Sequence, residues 1–355
     1  MKDSAVLLIN CPDQKGLVAR VSSLLYRHGA NILHADQHQD HDLGLFFMRV
    51  EWALHGPAGS LAGPDEHAQE LLAGAKSSSK SCSSARSEAG SKVRHEAGLK
   101  VHPEAGSPTR SEAGSKARLE AASAANAEAF DLEAFKAEFA PLAAELGMSW
   151  QLTSSARRPR VALFCSQYLH CMADLLHRWR TGELVCEIPL IISNHRAVAN
   201  LAAFYGVAFE HVPVTAATRE QAEERQLELL ERHGIELVVL ARYMQILSPV
   251  FVARYPAAII NVHHSFLPAF TGARPYHAAH ARGVKLIGAT SHYVTEVLDD
   301  GPIIEQDVAR ISHRDQVEDL VARGRDLERM VLSRAVRWRL DRRILCYGNK
   351  TVVFD

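Results

Sequence analysis

Three polar side chains sit just beyond apolar runs and could together take an acyl group apart. Asn261 and His263 lie in Asn261-Val-His-His-Ser-Phe-Leu-Pro268, and Asp299 lies in Leu298-Asp-Asp-Gly-Pro302. Deacylation needs a donor for the developing oxyanion, a group that moves protons near neutral pH, and a base for the attacking nucleophile. An amide, an imidazole and a carboxylate supply those three. Each residue also has an ordinary reading: Asn261 could turn a strand end, His263 or His264 could be satisfied polar residues, and Asp299-Asp300-Gly301 could be a simple β-turn. Spacing alone leaves that choice open.

Two other chemistries find less support. Adjacent residues on extended backbone point apart, so His263 and His264 are not expected to share a metal ion. The nineteen histidines include no H-E-x-x-H and no Cys/His cluster, so no metal is expected. Ser166 and His170 lack the G-x-S-x-G elbow of a serine nucleophile.

These residues need elements to position them. Short β-rich runs occur at Val161–Phe164, Pro189–Ile192, Leu237–Leu240 and Ala258–Val262, separated by amphipathic stretches such as Met172–Trp179 and Glu220–His233. Such alternation predicts an α/β domain with a mostly parallel sheet and right-handed helical crossovers. Ligands on such sheets sit beyond the carboxyl ends of the strands, where Asn261 and His263 fall.

The front of the chain has a different pattern. A buried strand at Ala5–Asn10, a turn to Gly16, a helix up to Gly29, and strands at Asn31–Gln37 and Leu45–Glu51 give β-α-β-β. A helical run at Leu132–Leu146 and a strand at Met148–Leu152 complete βαββαβ, a ferredoxin-like unit. Between them, at about 56–128, lies an insertion rich in Ser, Ala and Gly, in which Glu88, Glu96, Glu104 and Glu112 each begin Glu-Ala-Gly at eight-residue spacing. It has no apolar stripe to bury and reads as a passive, disordered insertion. The expected division is therefore 1–154, carrying the insertion, and 155–355.

Asn261-x-His263, Ser265-Phe-Leu-Pro268, Gly288-Ala-Thr and Leu298-Asp-Asp-Gly-Pro302 resemble the signature of the folate-dependent formyltransferase family. Within it, Ala241–Pro249, His263–Phe270 and Gly301–Gln306 are similar to the formyltetrahydrofolate deformylases, a likeness that runs from Pro159 to the end of the chain. The front unit, with Asn10-Cys-Pro-Asp-Gln-Lys-Gly16, Asn31-Ile32 and Phe46-Phe-Met-Arg49, resembles the ACT domain fused to those enzymes. The resemblance implies hydrolysis of the linear amide C–N bond of 10-formyltetrahydrofolate to tetrahydrofolate and formate, with formate feeding purine biosynthesis and one-carbon balance. It implies that Asn261 bonds the formyl oxygen, that His263 polarises or protonates the reacting centre, and that Asp299 positions or deprotonates the water. Tyr243, Met244, Gln245, Ile246 and Leu247 would line the pterin pocket, and Asp13, Gly16 and Asn31 would mark an effector site for an amino acid such as glycine or methionine.

Two alternatives stay in view. A glycinamide ribonucleotide formyltransferase would need a phosphate-cradling glycine turn after the first strand of the domain. The chain instead reads Cys165-Ser-Gln-Tyr-Leu-His-Cys-Met-Ala-Asp174, without glycine, which favours water as the acceptor. A non-catalytic, amino-acid-sensing regulator would not need the Asn261, His263 and Asp299 set.

Composition narrows the partners. Lys plus Arg total 40 against 41 Asp plus Glu, so no charge excess steers the chain to nucleic acid or membrane, and a small-molecule partner is expected. The six scattered cysteines fit a reducing compartment, and no leader or membrane span is expected, so the reading is cytoplasmic. An exposed sheet edge in the front unit favours a homo-oligomer.

Overall fold

The computed structural model describes residues 3–55, 130–268 and 275–354. The repeat insertion expected at 56–128 lies outside the described residues.

The front unit places β1 (Ser4–Pro12), α1 (Leu17–Arg27), β2 (Asn31–Asp40), β3 (Leu45–Ala53), α2 (Leu132–Glu145) and β4 (Ser149–Ser154) in the expected βαββαβ order. Its sheet runs β2-β3-β1-β4 with every pairing antiparallel. Helix α1 buries Leu17, Val21, Leu24 and Leu25, the stripe that its periodicity gives. Helix α2 starts where the Asp131 carboxylate accepts from the amides of Glu133 and Ala134. It packs Phe135 and Phe139 beside Trp52 and Trp150. The outermost strand, β2, is largely exposed along its length.

The larger sheet follows the order β11-β10-β9-β8-β5-β6-β7. Its parallel part comprises β5 (Arg160–Cys165), β6 (Glu187–Ser193), β7 (Ala208–His211), β8 (Leu237–Leu240) and β9 (Ile259–His263). Strands β10 (Leu286–Tyr293) and β11 (Ile303–Arg310) extend it antiparallel. This is the α/β, mostly parallel architecture that strand–helix alternation predicts. The connecting helices are α3 (His170–Arg180), α4 (Ala199–Tyr205), α5 (Arg219–Arg232), α6 (Pro249–Arg254) and α7 (Pro275–Arg282). A 24-residue helix, α8 (Val317–Leu340), follows β11 and packs on β10 and β11. The strands are apolar because both faces are covered: Val161, Leu163, Val239 and Ile260 belong to one core, and Phe164, Leu190, Val238 and Ile259 to the other.

A final hairpin, β12 (Ile344–Tyr347) and β13 (Lys350–Val353), joins the two sheets. Leu345, Val352 and Phe354 bury against Val6, Leu8 and Phe47 of the front sheet. Arg49 of β3, almost fully buried, donates to the carbonyls of Asp341 and Arg342 at 3.2 and 3.1 Å and pairs with Glu51 at 2.7 Å. These bonds tie β3 of the front sheet to the end of α8.

Candidate active site

Strand order reverses beside β5, with β6 and β7 to one side and β8, β9 and β10 to the other. The carboxyl ends of β5 and β8 therefore flank the crevice where open α/β sheets bind ligands. Ser166, directly after β5, latches the two ends together. Its backbone amide donates to Arg242 O at 3.1 Å, and its hydroxyl accepts from the Met244 amide at 2.9 Å and donates to Asn194 Oδ1 at 2.7 Å. His170 turns elsewhere, to Glu328 at 2.7 Å, so Ser166 and His170 do not form a nucleophile–base pair.

One strand further on, β9 carries Asn261 and His263 on a shared face, and their partners across β10 are His292 and Thr290. The loop after β10 then folds back, with Tyr293 N bonded to Pro302 O at 2.9 Å. That turn requires Gly301, because a Cβ there would lie 1.8 Å from Tyr293 O. It delivers Asp299, at a φ of 57°, to the face already occupied by Asn261 and His263.

The polar contacts fix protons as well as positions. Asp299 Oδ2 lies 3.2 Å from His263 Nδ1, and that contact holds the Asp299 carboxyl below its ordinary range, so it is ionised. A carboxylate at this distance calls for hydrogen on Nδ1. His263 Nε2 is buried without a hydrogen-bond partner among the described residues. His292 Nδ1 donates to Tyr293 O at 2.9 Å, leaving Nε2 to accept from Asn261 Nδ2 at 3.3 Å. Burial depresses the His292 pKa, consistent with a neutral ring. Asn261 is thereby turned with its amide nitrogen toward the imidazole and one N–H left over.

The neighbouring histidine departs from expectation. The rings of His263 and His264 do not point apart: their centroids are 5.1 Å apart at 17°. Strand β9 ends at His263, so the alternation that governs extended backbone no longer applies at His264. Behind it stand Arg242, Glu328, His170 and Tyr276, none of which the sequence reading assigned. His170, Cys171 and Glu328 bring three ligand-type atoms within 4.8 Å, a Cys/His grouping that spacing along the chain did not reveal. Burial pushes the Cys171 thiol well above its ordinary pKa, and Glu328 already accepts from His170 and Tyr276. His170 and Glu328 are thus accounted for by their own hydrogen bonds.

The expected folate-binding segment divides by side-chain direction. Tyr243 and Leu247 pack into the core, with the Tyr243 hydroxyl bonded to Gln226 at 2.9 Å. Met244 and Ile246 are exposed, and Gln245 is half-buried. In the front unit a cleft of about 640 Å³ is lined by residues that include Asp13, Gly16, Gln39 and Phe46. Asn31, at the far end of β2, is not among its lining residues.

Residues 159–336 match the model of the formyl transferase family, and residues 5–51 match the ACT domain. The chain is 44% identical over 351 residues to a formyltetrahydrofolate deformylase from Synechocystis sp., spanning 99% of this chain and 98% of that protein. Among solved structures it is similar to a formyltetrahydrofolate deformylase from Pseudomonas syringae pv. tomato, at 40% identity and a TM-score of 0.78, covering 100% of this chain and 95% of the other. A glycinamide ribonucleotide transformylase from Symbiobacterium toebii is similar to only 56% of this chain, though to 95% of its own, at 29% identity and a TM-score of 0.53. Likeness of this order along both modules places the chain in the formyltetrahydrofolate deformylase family.

Proposed function

We propose that this chain is a hydrolase that cleaves 10-formyltetrahydrofolate to tetrahydrofolate and formate, with water as the formyl acceptor. The observation that carries the reading is the convergence of Asn261, His263 and Asp299 at one set of strand ends, with Asp299 ionised against His263. The substrate formyl group is an amide on N10. Ionised Asp299 takes a proton from water as its oxygen attacks the formyl carbon, and the C=O electrons move onto oxygen. The remaining Asn261 N–H and, when protonated, His263 Nε2 donate to that oxyanion. His263 then gives its proton to N10, the C–N bond breaks, and formic acid leaves as formate. One preorganised donor to the oxyanion is worth about 3 kcal/mol of barrier. The reaction needs only the folate and water, so no cofactor is assigned.

In the same reading, residues 155–355 form the catalytic module, and the exposed Met244 and Ile246 cover the pterin beside Gln245. Residues 1–154 form a regulatory module whose cleft at Asp13 and Gly16 takes a small amino acid, and copies of the chain associate. No helix among the described residues is long and apolar enough to cross a membrane. The described cysteines are all free, and we assign the protein to the cytoplasm. Formate release from 10-formyltetrahydrofolate, measured with and without an amine acceptor, tests the central claim. A formylated amine in place of formate overturns it.

A further inference from the structure

Helix α8 buries Leu320, Gly324, Leu327, Val331, Leu332 and Ala335 along one face, and Glu328 lies in the same stripe at 1% exposure. A carboxylate there is costly unless it is fully bonded. Glu328 accepts from His170 Nε2 and from the Tyr276 hydroxyl, each at 2.7 Å, and its Oε2 lies 3.4 Å from Arg242 Nε. Burial alone would raise its pKa; those bonds and the guanidinium charge outweigh it, so the carboxyl sits below its ordinary range and is ionised. The arrangement is built around Gly324, where a Cβ would fall 2.2 Å from the Tyr276 ring.

Arg242 is buried as well, although its Nε makes no hydrogen bond among the described residues. It lies two residues after β8 at a φ of 64°, a left-handed backbone that a non-glycine residue adopts only under outside constraint. Its Nη1 lies 2.7 Å from His264 Nδ1. A guanidinium can only donate, so Nδ1 of His264 must carry a lone pair. The His264 ring is therefore neutral with its proton on Nε2, stacked against His263.

We infer that Glu328 and Arg242 are positioning residues of the hydrolytic centre. They hold His264 as a neutral ring against His263, so that only His263 of the stacked pair takes up the catalytic proton. The inference rests on the hydrolytic reading above. Two imidazolium rings this close would repel, and a neutral neighbour removes that penalty. The charged and titratable groups facing His263 are Asp299 from the loop after β10, His292 from β10, His264 from its own chain end, and Arg242 behind His264. Glu328 faces Arg242 from the other side, its Oε2 3.4 Å from Arg242 Nε. A pair serving stability alone would also be buried and bonded, so the test must read protons.

Nitrogen-15 NMR of histidine-labelled protein should show His264 protonated on Nε2 only, from about pH 6 to about pH 8 across the ordinary histidine range. A doubly protonated His264 in that range overturns the inference whether or not formate is released. Glu328→Gln should lower kcat by about 10²-fold with little change in KM, the scale of a misplaced catalytic group. It should also move the alkaline limb of the rate profile to lower pH, because the uncompensated guanidinium disfavours the imidazolium. An unmoved limb in Glu328→Gln would mean that the pair is structural. Wild-type protein that releases no formate would instead remove the hydrolytic reading, while the His264 spectrum still reports on the ring.

Discussion

His263 Nδ1 and Asp299 Oδ2 meet at 3.2 Å although they come from opposite ends of an antiparallel strand pair and the turn that follows it. The meeting depends on a left-handed backbone at Asp299, which costs roughly 1–3 kcal/mol and is imposed by the fold-back of Tyr293 onto Pro302. A carboxylate held there is ionised throughout the neutral range, because its pKa is lowered by the imidazole contact. It can thus serve as a base without waiting for solvent pH.

Asp299→Asn keeps the size of the side chain and removes the proposed base. Turnover should fall roughly 10²–10⁴-fold, the range of a lost general base, with folate binding largely retained. Asp300 is exposed, and Asp300→Asn should leave turnover near wild type. The opposite pattern in steady-state kinetics would move the base by one residue.

Gly301→Ala tests the turn itself. An added Cβ would overlap Tyr293 O at 1.8 Å, so the fold-back must open and carry Asp299 away from His263. Overpacking of this kind costs roughly 1–3 kcal/mol of stability. The larger loss should be in kcat, since the carboxylate is displaced while the segment after β8, proposed to meet the pterin, is untouched. A variant with wild-type kcat would show that Asp299 does not depend on this turn.

What could be read from the chain, and what could not, follows from how each residue is recruited. Asn261, His263 and Asp299 stand next to strand ends with contiguous motifs around them, so local sequence was enough to name them as candidates, and the structure brings the three together. The βαββαβ order and the parallel strands were legible because apolar periodicity marks each element. Glu328 was hidden inside a helical stripe, where its only mark is a carboxylate between Leu327 and Val331, and its partners Arg242, His170 and Tyr276 come from three other segments. The rings of His263 and His264 stack, where extended backbone would turn them apart, because β9 ends at His263 and the chain leaves the strand at His264.

His292 gives the site a pH signature in stability. Its folded pKa is depressed below the ordinary value of 6.5, first by burial, so between those two values the unfolded chain binds more protons than the folded one. Stability should rise with pH across that window, and the contribution should be lost as pH falls below about 6.5, the ordinary histidine value. Thermal denaturation of wild type and His292→Gln should differ most at neutral pH, with the gap closing under acid. A gap that widens as pH falls would reverse the assigned charge state.

The front module should bind a small amino acid in the cleft beside Asp13 and Gly16. The Asp13 carboxylate there accepts from Gln39 at 3.2 Å and is free to meet an ammonium group. Calorimetric titration with glycine and with methionine should give heat for one of them, and Asp13→Ala should abolish it. Silence from both would leave the module as a device for assembly.

The acceptor can be decided at Asn261. A transferase must exclude water until its amine arrives, since water would otherwise waste the formyl donor, whereas a hydrolase must admit it. Formate release should therefore run at full rate without amine, and glycinamide ribonucleotide should neither speed it nor appear formylated by mass spectrometry. In the proposed mechanism Asn261 keeps one N–H for the oxyanion after meeting His292 at 3.3 Å, so it would stabilise the oxyanion whichever nucleophile attacks. Asn261→Ala should slow release by about 10²-fold, through kcat rather than KM, because the bond strengthens only as charge builds on oxygen. If the loss instead fell on KM, Asn261 would be holding ground-state substrate, and the oxyanion donor would have to be sought at His263 alone.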